Sequence, residues 1–326
     1  MNRRDTFWAL AAAVWAGRPA FAAALEFKDE LWTDMARSRS LPVRLRWPAG
    51  DAPCGLVVYS HGLGGSRAGG AVWGEAWQAA GLAVLHVQHP GSDTEIWSAG
   101  LRGVRQGAAL EQYVQRVADA HFVFDELDRL HAQGGAWKRL RPDALGFAGH
   151  SFGARLTQAV AGELPRRARR ADAARLADPR PGAFIAFSPG FSSRDGTDDA
   201  TVRARFGAIT RPFLCVTGTK DDAMIVGDAD NAARRAVYRG LPAGQKAQLV
   251  LGGADHMTFG GGTGLAPGRR GLPRAAGAAD LEPRHRKLVA VITADWWRWR
   301  LLGDEAAAAR LRAPAGLAPG DVWELG

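Results

Sequence analysis

The sequence predicts an α/β chain, a mostly parallel central sheet with helices on both faces. Three observations carry that expectation. Short apolar runs alternate with amphipathic stretches of helical length along most of the chain. Glycine-rich turns follow several of the runs at their carboxyl ends. The 326 residues, 47% hydrophobic and 23% charged, can fill one sizeable core and exclude disordered, collagen-like and disulfide-stapled classes.

The amino-terminal residues stand apart from the alternation. Asn2-Arg3-Arg4-Asp5 gives a positive start, Phe7 to Ala16 is a short apolar run, and Ala20 to Ala24 offers small residues for cleavage. Together they read as a secretory signal. The run is too short to span a bilayer, and the paired arginines resemble a twin-arginine export signal with Phe7 one place late. Residues 1–23 are therefore expected to be a signal and residues 24–326 a single domain, periplasmic or secreted. An uncleaved anchor is the alternative.

Downstream there are no repeats. Strands are expected at 43–47, 55–60, 83–87, 144–148, 183–187, 213–217 and 247–251, each an apolar run of sheet-like composition. The stretch 108–131 carries Leu110, Val114, Val117, His121, Phe124 and Leu127 three or four apart, which predicts a helix lying on the sheet. Leu288, Ile292, Trp296, Trp299 and Leu302 repeat the pattern, read as a core-facing helix in preference to a tryptophan patch on a membrane. Segments 164–180 and 260–279, rich in Arg, Gly, Pro and Ala, read as surface excursions that can carry a lid or a selecting loop.

Lys and Arg number 42 against 33 Asp and Glu, a net +9; loss of Arg3, Arg4, Arg18 and Asp5 with the signal leaves +7. Such a balance permits attraction to anionic surfaces without specifying one. The run Arg166-Arg167-Ala168-Arg169-Arg170 reads as a solvated helix face rather than a phospholipid contact. Nucleic-acid binding has no motif here and conflicts with export. Cys54 and Cys215 are too few for a disulfide framework and read as small buried hydrophobes, with one bridge between them as the alternative.

Chemistry concentrates in the turns. Gly149-His150-Ser151-Phe152-Gly153 lies between an apolar run and a helix-like stretch. A serine hydroxyl attacks well only when held exposed beside a base, and a tight strand-to-helix turn does this if its neighbours are small. Ser60-His61-Gly62-Leu63-Gly64-Gly65 ends an earlier run, and the N–H groups of Leu63 and Phe152 are the expected oxyanion donors. A phosphate loop is the competing idea, but no Gly-Lys-Ser/Thr follows. Further on, one run ends in Gly218-Thr219-Lys220-Asp221-Asp222 and the next in Ala254-Asp255-His256. Serine, acid, histidine is the chain order of an α/β-hydrolase triad. Ser151 is thus the expected nucleophile, His256 the base and Asp221 the acid, with Asp222 as the alternative acid. His86, His89 and Asp93 can be read as metal ligands, but a hydrogen-bonded loop near the rim is preferred and no metal is expected.

These motifs, with Val87-Gln88-His89-Pro90-Gly91-Ser92-Asp93 and Met257 after His256, resemble the α/β-hydrolase superfamily over about residues 32–299. The nearest branch is similar to the predicted dienelactone-hydrolase-like and platelet-activating-factor-acetylhydrolase-like serine esterases, related to cutinase-like polyester hydrolases. The resemblance implies the fold, the triad and independence of metals and cofactors, and leaves the substrate open. Dienelactone hydrolases use a cysteine nucleophile; Ser151 here favours ordinary ester hydrolysis. The expected substrate is a small-molecule or lipid ester. Lipase, phospholipase and polyester hydrolase share the triad, and a non-catalytic periplasmic binding protein on the same fold is the alternative from another class.

Overall fold

The computed structural model describes residues 26–164, 175–223, 229–262 and 273–326. The expected signal at 1–23, the arginine run and most of the two excursions lie outside the described residues.

The described residues form a sheet of nine strands: β1 (Lys28–Asp34), β2 (Arg39–Arg46), β3 (Cys54–Ser60), β4 (Ala83–Val87), β5 (Leu140–His150), β6 (Ala183–Phe187), β7 (Phe213–Lys220), β8 (Lys246–Asp255) and β9 (Val322–Leu325). Their order is β1-β2-β4-β3-β5-β6-β7-β8-β9. The stretch from β4 to β8 is parallel throughout, while β1, β2 and β9 run antiparallel to their neighbours. Strands β3, β4 and β6 are buried at every position, as continuous apolar runs in a covered parallel sheet should be. All seven expected strands are present. The two that composition did not mark, β1 and β9, mix charged with apolar residues and lie at the sheet edges, half exposed.

Helices cover both faces. On one side lie α3 (Leu110–Gln133), α4 (Phe152–Ala161), α5 (Asp199–Phe206) and α6 (Asn231–Gly240), which contribute Phe124, Leu156, Phe206 and Val237 to a common core. On the other, α1 (Ala71–Ala79), α7 (Ala278–Leu302) and α8 (Glu305–Arg312) bury Trp73, Trp77, Trp296, Trp297 and Leu311. The short α2 (Gly100–Gly107) lies beyond β4. No described helix is long and apolar enough to cross a membrane.

Two expected faces need correction. Leu110 and Val114 are exposed, because the buried face of α3 at its amino end is the polar pair Arg116 and Asp119. In α7 the core face is rotated from the expected stripe: Trp297 is fully buried against Trp77, ring centroids 5.7 Å apart, and Trp299 and Leu302 are only partly covered. Cys54 and Cys215 are both buried and unbonded, on strands separated by two others.

Parallel pairing of β3 with β5 places their carboxyl ends side by side, Ser60 opposite Gly149. There the backbones come too close for side chains. A Cβ on Gly153 would lie 2.1 Å from the Ser60 carbonyl oxygen, and one on Gly149 would lie 2.4 Å from the Gly153 carbonyl. Gly153→Ala should therefore lower stability by about 1–3 kcal/mol, by forced backbone displacement. Gly182→Ala, where the nearest atom is 3.8 Å away, should stay within about 0.5 kcal/mol. Chemical denaturation of the two variants checks the contrast; equal effects would contradict it.

Candidate active site

Ser151 sits between the last residue of β5 and the first of α4 with φ 56°, left-handed backbone uncommon for a residue with a side chain. Its N–H donates to the Phe187 carbonyl at 2.9 Å, tying the turn to the end of β6. This sharp turn lifts the Ser151 hydroxyl off the sheet at the positive end of α4.

The described structure brings three of the expected residues into one hydrogen-bonded chain. Ser151 Oγ lies 2.9 Å from His256 Nε2, and His256 Nδ1 lies 2.8 Å from Asp221 Oδ1. A carboxylate only accepts, so Nδ1 carries the proton and Nε2 is left to accept from Ser151. His256 begins the turn after β8 and is 12% exposed; Asp221 follows β7 and is wholly buried. Thr217 donates to the other carboxylate oxygen at 2.8 Å. Asp222, the alternative acid, is exposed and accepts from the Asn231 N–H at 3.1 Å. Asp255, though adjacent to His256, turns away to cap the following turn through Thr258 and to pair with Arg274 at 2.8 Å.

Two features of this chain were not marked in the sequence. Arg234 of α6 is buried with its guanidinium on the acid: Nε is 3.0 Å from Asp221 Oδ1 and donates to the Asp221 carbonyl at 2.7 Å, and Nη1 donates to the Ser188 and Pro189 carbonyls. Its Nη2 lies 3.3 Å from His256 Nδ1. Burial opposes the charge on Asp221, but Arg234 and the His256 bond outweigh it and hold the carboxyl well below its ordinary value. His150 is the second. Its Nε2–H donates to the His256 carbonyl at 3.0 Å, with the two rings 4.7 Å apart, and burial lowers the imidazole to about 3, so it donates as a neutral ring.

The expected oxyanion donors flank Ser151. A Cβ on Gly62 would stand 3.4 Å from Ser151 Cβ, so the 61–65 loop passes directly beside the hydroxyl. Phe152 opens α4, where an N–H has no intrahelical acceptor. Behind the loop lies a buried cation, Arg116, whose guanidinium donates to the carbonyls of His61 at 2.6 Å and Ser92 at 3.2 Å and to Ser92 Oγ at 2.8 Å. Burial brings it down to about 9, still charged at neutral pH. His61 Nε2 accepts from the His89 N–H at 3.0 Å, so its Nδ1–H donates to the Gly62 carbonyl at 2.6 Å. In a trans peptide that fixes the opposed N–H of Leu63 as well. The sequence signal for Arg116 was its place within the apolar stripe of α3, next to Val117.

His86 and His89 are engaged separately. His86 Nδ1–H donates to the Gly69 carbonyl, and His89 bridges Asp119, at 2.9 Å, and Ser60, at 3.0 Å. Among the described residues no group of three or more His, Cys, Asp or Glu side chains is placed to hold a metal ion. Asp119 in turn binds Arg37 and Arg39; burial opposes its charge, but His89 and Arg39 hold it below its ordinary range.

No family model and no curated protein matches this chain. Among solved structures it is similar to the crystal structure of 2,6-dihydroxy-pseudo-oxynicotine hydrolase, with a TM-score of 0.54 at 17% identity over 86% of this chain and 69% of that one. At that identity the likeness concerns the fold, which is the α/β-hydrolase fold.

The buried histidines set a pH dependence of stability. Burial lowers His86 to about 3 and His89 to about 4, as it lowers His150, and it takes His61 well below its ordinary value. Below about pH 6.5 the unfolded chain takes up protons that the folded chain refuses, so stability falls as pH falls, by up to about 1.4 kcal/mol per pH unit for each histidine. Asp119 and Asp221, held ionised, add losses only as pH drops below about 4. Urea unfolding at pH 7.5, 6.5, 5.5 and 4.5 should show a decline that starts near 6.5. A flat profile down to pH 5 would mean these rings are charged in the fold.

Proposed function

We propose that this protein is a serine hydrolase that cleaves carboxylic esters through an acyl-enzyme on Ser151. The observation that carries the reading is the continuous chain Asp221, His256, Ser151, at 2.8 and 2.9 Å, ending on a left-handed strand-to-helix turn. The hydrolase name of the structural neighbour supports a hydrolytic reaction on this fold. The amino-terminal segment supports a periplasmic or secreted location.

In the proposed reaction His256 Nε2 takes the Ser151 proton as Oγ attacks the ester carbonyl. The negative charge that develops on the carbonyl oxygen is met by the N–H groups of Leu63 and Phe152, each such donor being worth about 3–4 kcal/mol. His256 then protonates the leaving alcohol, and the acyl group stays on Ser151. Water activated by the same imidazole releases the acid. Asp221 holds the tautomer and stabilises the imidazolium, and His150 restrains the backbone from which His256 projects.

Ser151→Ala should abolish hydrolysis of p-nitrophenyl butyrate and labelling by a fluorophosphonate while leaving the thermal transition near that of the parent. Asp221→Asn should lower kcat by about 10³–10⁴-fold through the wrong tautomer. Asp222→Asn, on a carboxylate outside the hydrogen-bonded chain, should change kcat less than about twofold. Full activity in Ser151→Ala would overturn the mechanism, and a larger loss in Asp222→Asn than in Asp221→Asn would overturn the assignment of the acid.

A further inference from the structure

Four residues beyond the Ser151 turn, Arg155 extends from α4, its N–H bonded to the Ser151 carbonyl at 3.1 Å. Residues four apart share a helix face, and helical side chains lean toward the amino end, so Arg155 leans toward Ser151. Two contacts fix its course. Its stem crosses Gly190, just past the end of β6, so closely that a Cβ there would lie 2.1 Å from Arg155 Cγ. Its guanidinium carbon stands 5.6 Å from the Tyr113 ring, and that ring stands 6.2 Å from Phe152. The backbone of Gly190 is itself clamped from both sides by Gln158, through bonds of 2.7 and 2.8 Å.

Tyr113 is thus half-buried and Arg155 exposed beside the Ser151 turn, and no ion pair or hydrogen bond engages the guanidinium or the phenol among the described residues. The nearby carboxylates are already taken: Arg205 pairs with Glu163 at 2.5 Å and Asp195 at 2.6 Å. Burial and the neighbouring Glu163 push the Tyr113 hydroxyl up, so it keeps its proton and donates. A guanidinium 5.6 Å from a phenol ring, its stem lying along Gly190 and both groups without a protein acceptor among the described residues, offers a cation and a hydroxyl donor to a carboxylate.

We propose that the Tyr113 hydroxyl and the Arg155 guanidinium form a carboxylate-binding subsite, and that the preferred substrates are esters bearing a free carboxylate a short carbon chain from the scissile bond. The proposal rests on the reading of Ser151 as nucleophile. Four helical residues advance about 6 Å, which suits a monoester of a medium-length dicarboxylic acid. The free acid released would be a dicarboxylate.

Monomethyl adipate and dimethyl adipate differ in one charge and share a chain. The parent protein should favour the monoester by about tenfold or more in kcat/KM, carried mainly by KM. In Arg155→Gln that ratio should fall to near one, and in Tyr113→Phe it should fall by about threefold. Arg203→Gln, which removes an exposed cation from α5, should keep the ratio and so separates the subsite from the overall positive charge. Independently of turnover, millimolar adipate should slow fluorophosphonate labelling of Ser151 in the parent and not in Arg155→Gln. A parent that labels on Ser151 but shows no preference and no protection, or an Arg155→Gln variant that keeps both, overturns the subsite alone. A parent that does not label overturns the serine-hydrolase reading and the subsite with it.

Discussion

Everything at the candidate site depends on how closely two backbones approach where β3 and β5 end. With the Gly153 Cα packed over the Ser60 carbonyl, the Ser151 turn and the 61–65 loop become neighbours through main-chain contact alone. Side chains can repack by tenths of an ångström; two peptide planes in contact leave far less freedom. The Ser151 turn is held on its other side by the bond from its N–H to Phe187 on β6. Three adjacent parallel strands therefore fix the position of one hydroxyl, and the left-handed backbone of Ser151 persists because its surroundings over-determine it.

The loop beside that hydroxyl needs a different support, because it contains glycine at three of its five positions, 62, 64 and 65. Its carbonyls are turned inward to a buried polar cluster rather than paired in the sheet. Arg116 and His61 serve the carbonyls of residues 61 and 62, Ser92 accepts from the Gly64 N–H at 2.9 Å, and Trp97 donates to the Gly64 carbonyl at 2.8 Å. Burying a guanidinium is costly, and apolar residues of the same volume often serve stability as well or better. They cannot orient a carbonyl. The cluster is accordingly better explained by the direction it gives the peptide between Gly62 and Leu63 than by any stability it adds.

Much of this was legible because it is local. Each of Ser151, Asp221 and His256 stands in a turn directly after an apolar strand, and strand followed by turn is the grammar a sequence states most plainly. The edge strands β1 and β9 were not legible, since a half-exposed strand such as Lys28–Asp34 has a composition close to that of a loop. The choice between Asp221 and Asp222 was open for a sharper reason: adjacent residues on a turn share every local signal. What separates them is distant, Thr217 and Arg234 around one carboxylate and the Asn231 N–H on the other. Arg116 and Arg234 were hidden by the ordinary rule that charged helix residues face water. Their acceptors are backbone carbonyls about 55 and 46 residues away, and a carbonyl leaves no mark in composition. A retrospective signal does exist, because Arg234 adjoins Ala233 and precedes Val237 by three, on the buried face of α6.

The placement of Arg234 also bears on how the proposed chemistry keeps its charges in balance. Before reaction the buried pair is neutral, Asp221 negative against Arg234 positive, so the carboxylate can remain ionised where water cannot reach it. When His256 takes the Ser151 proton, the imidazolium stands 2.8 Å from the carboxylate oxygen and 3.3 Å from a guanidinium nitrogen, attracted and repelled from nearly the same distance. The positive charge left over is matched by the oxyanion forming on the other side of Ser151, between Leu63 and Phe152. Proton uptake at one end and charge development at the other are thereby coupled across a single hydroxyl, and the dipole they create lies over the positive end of α4.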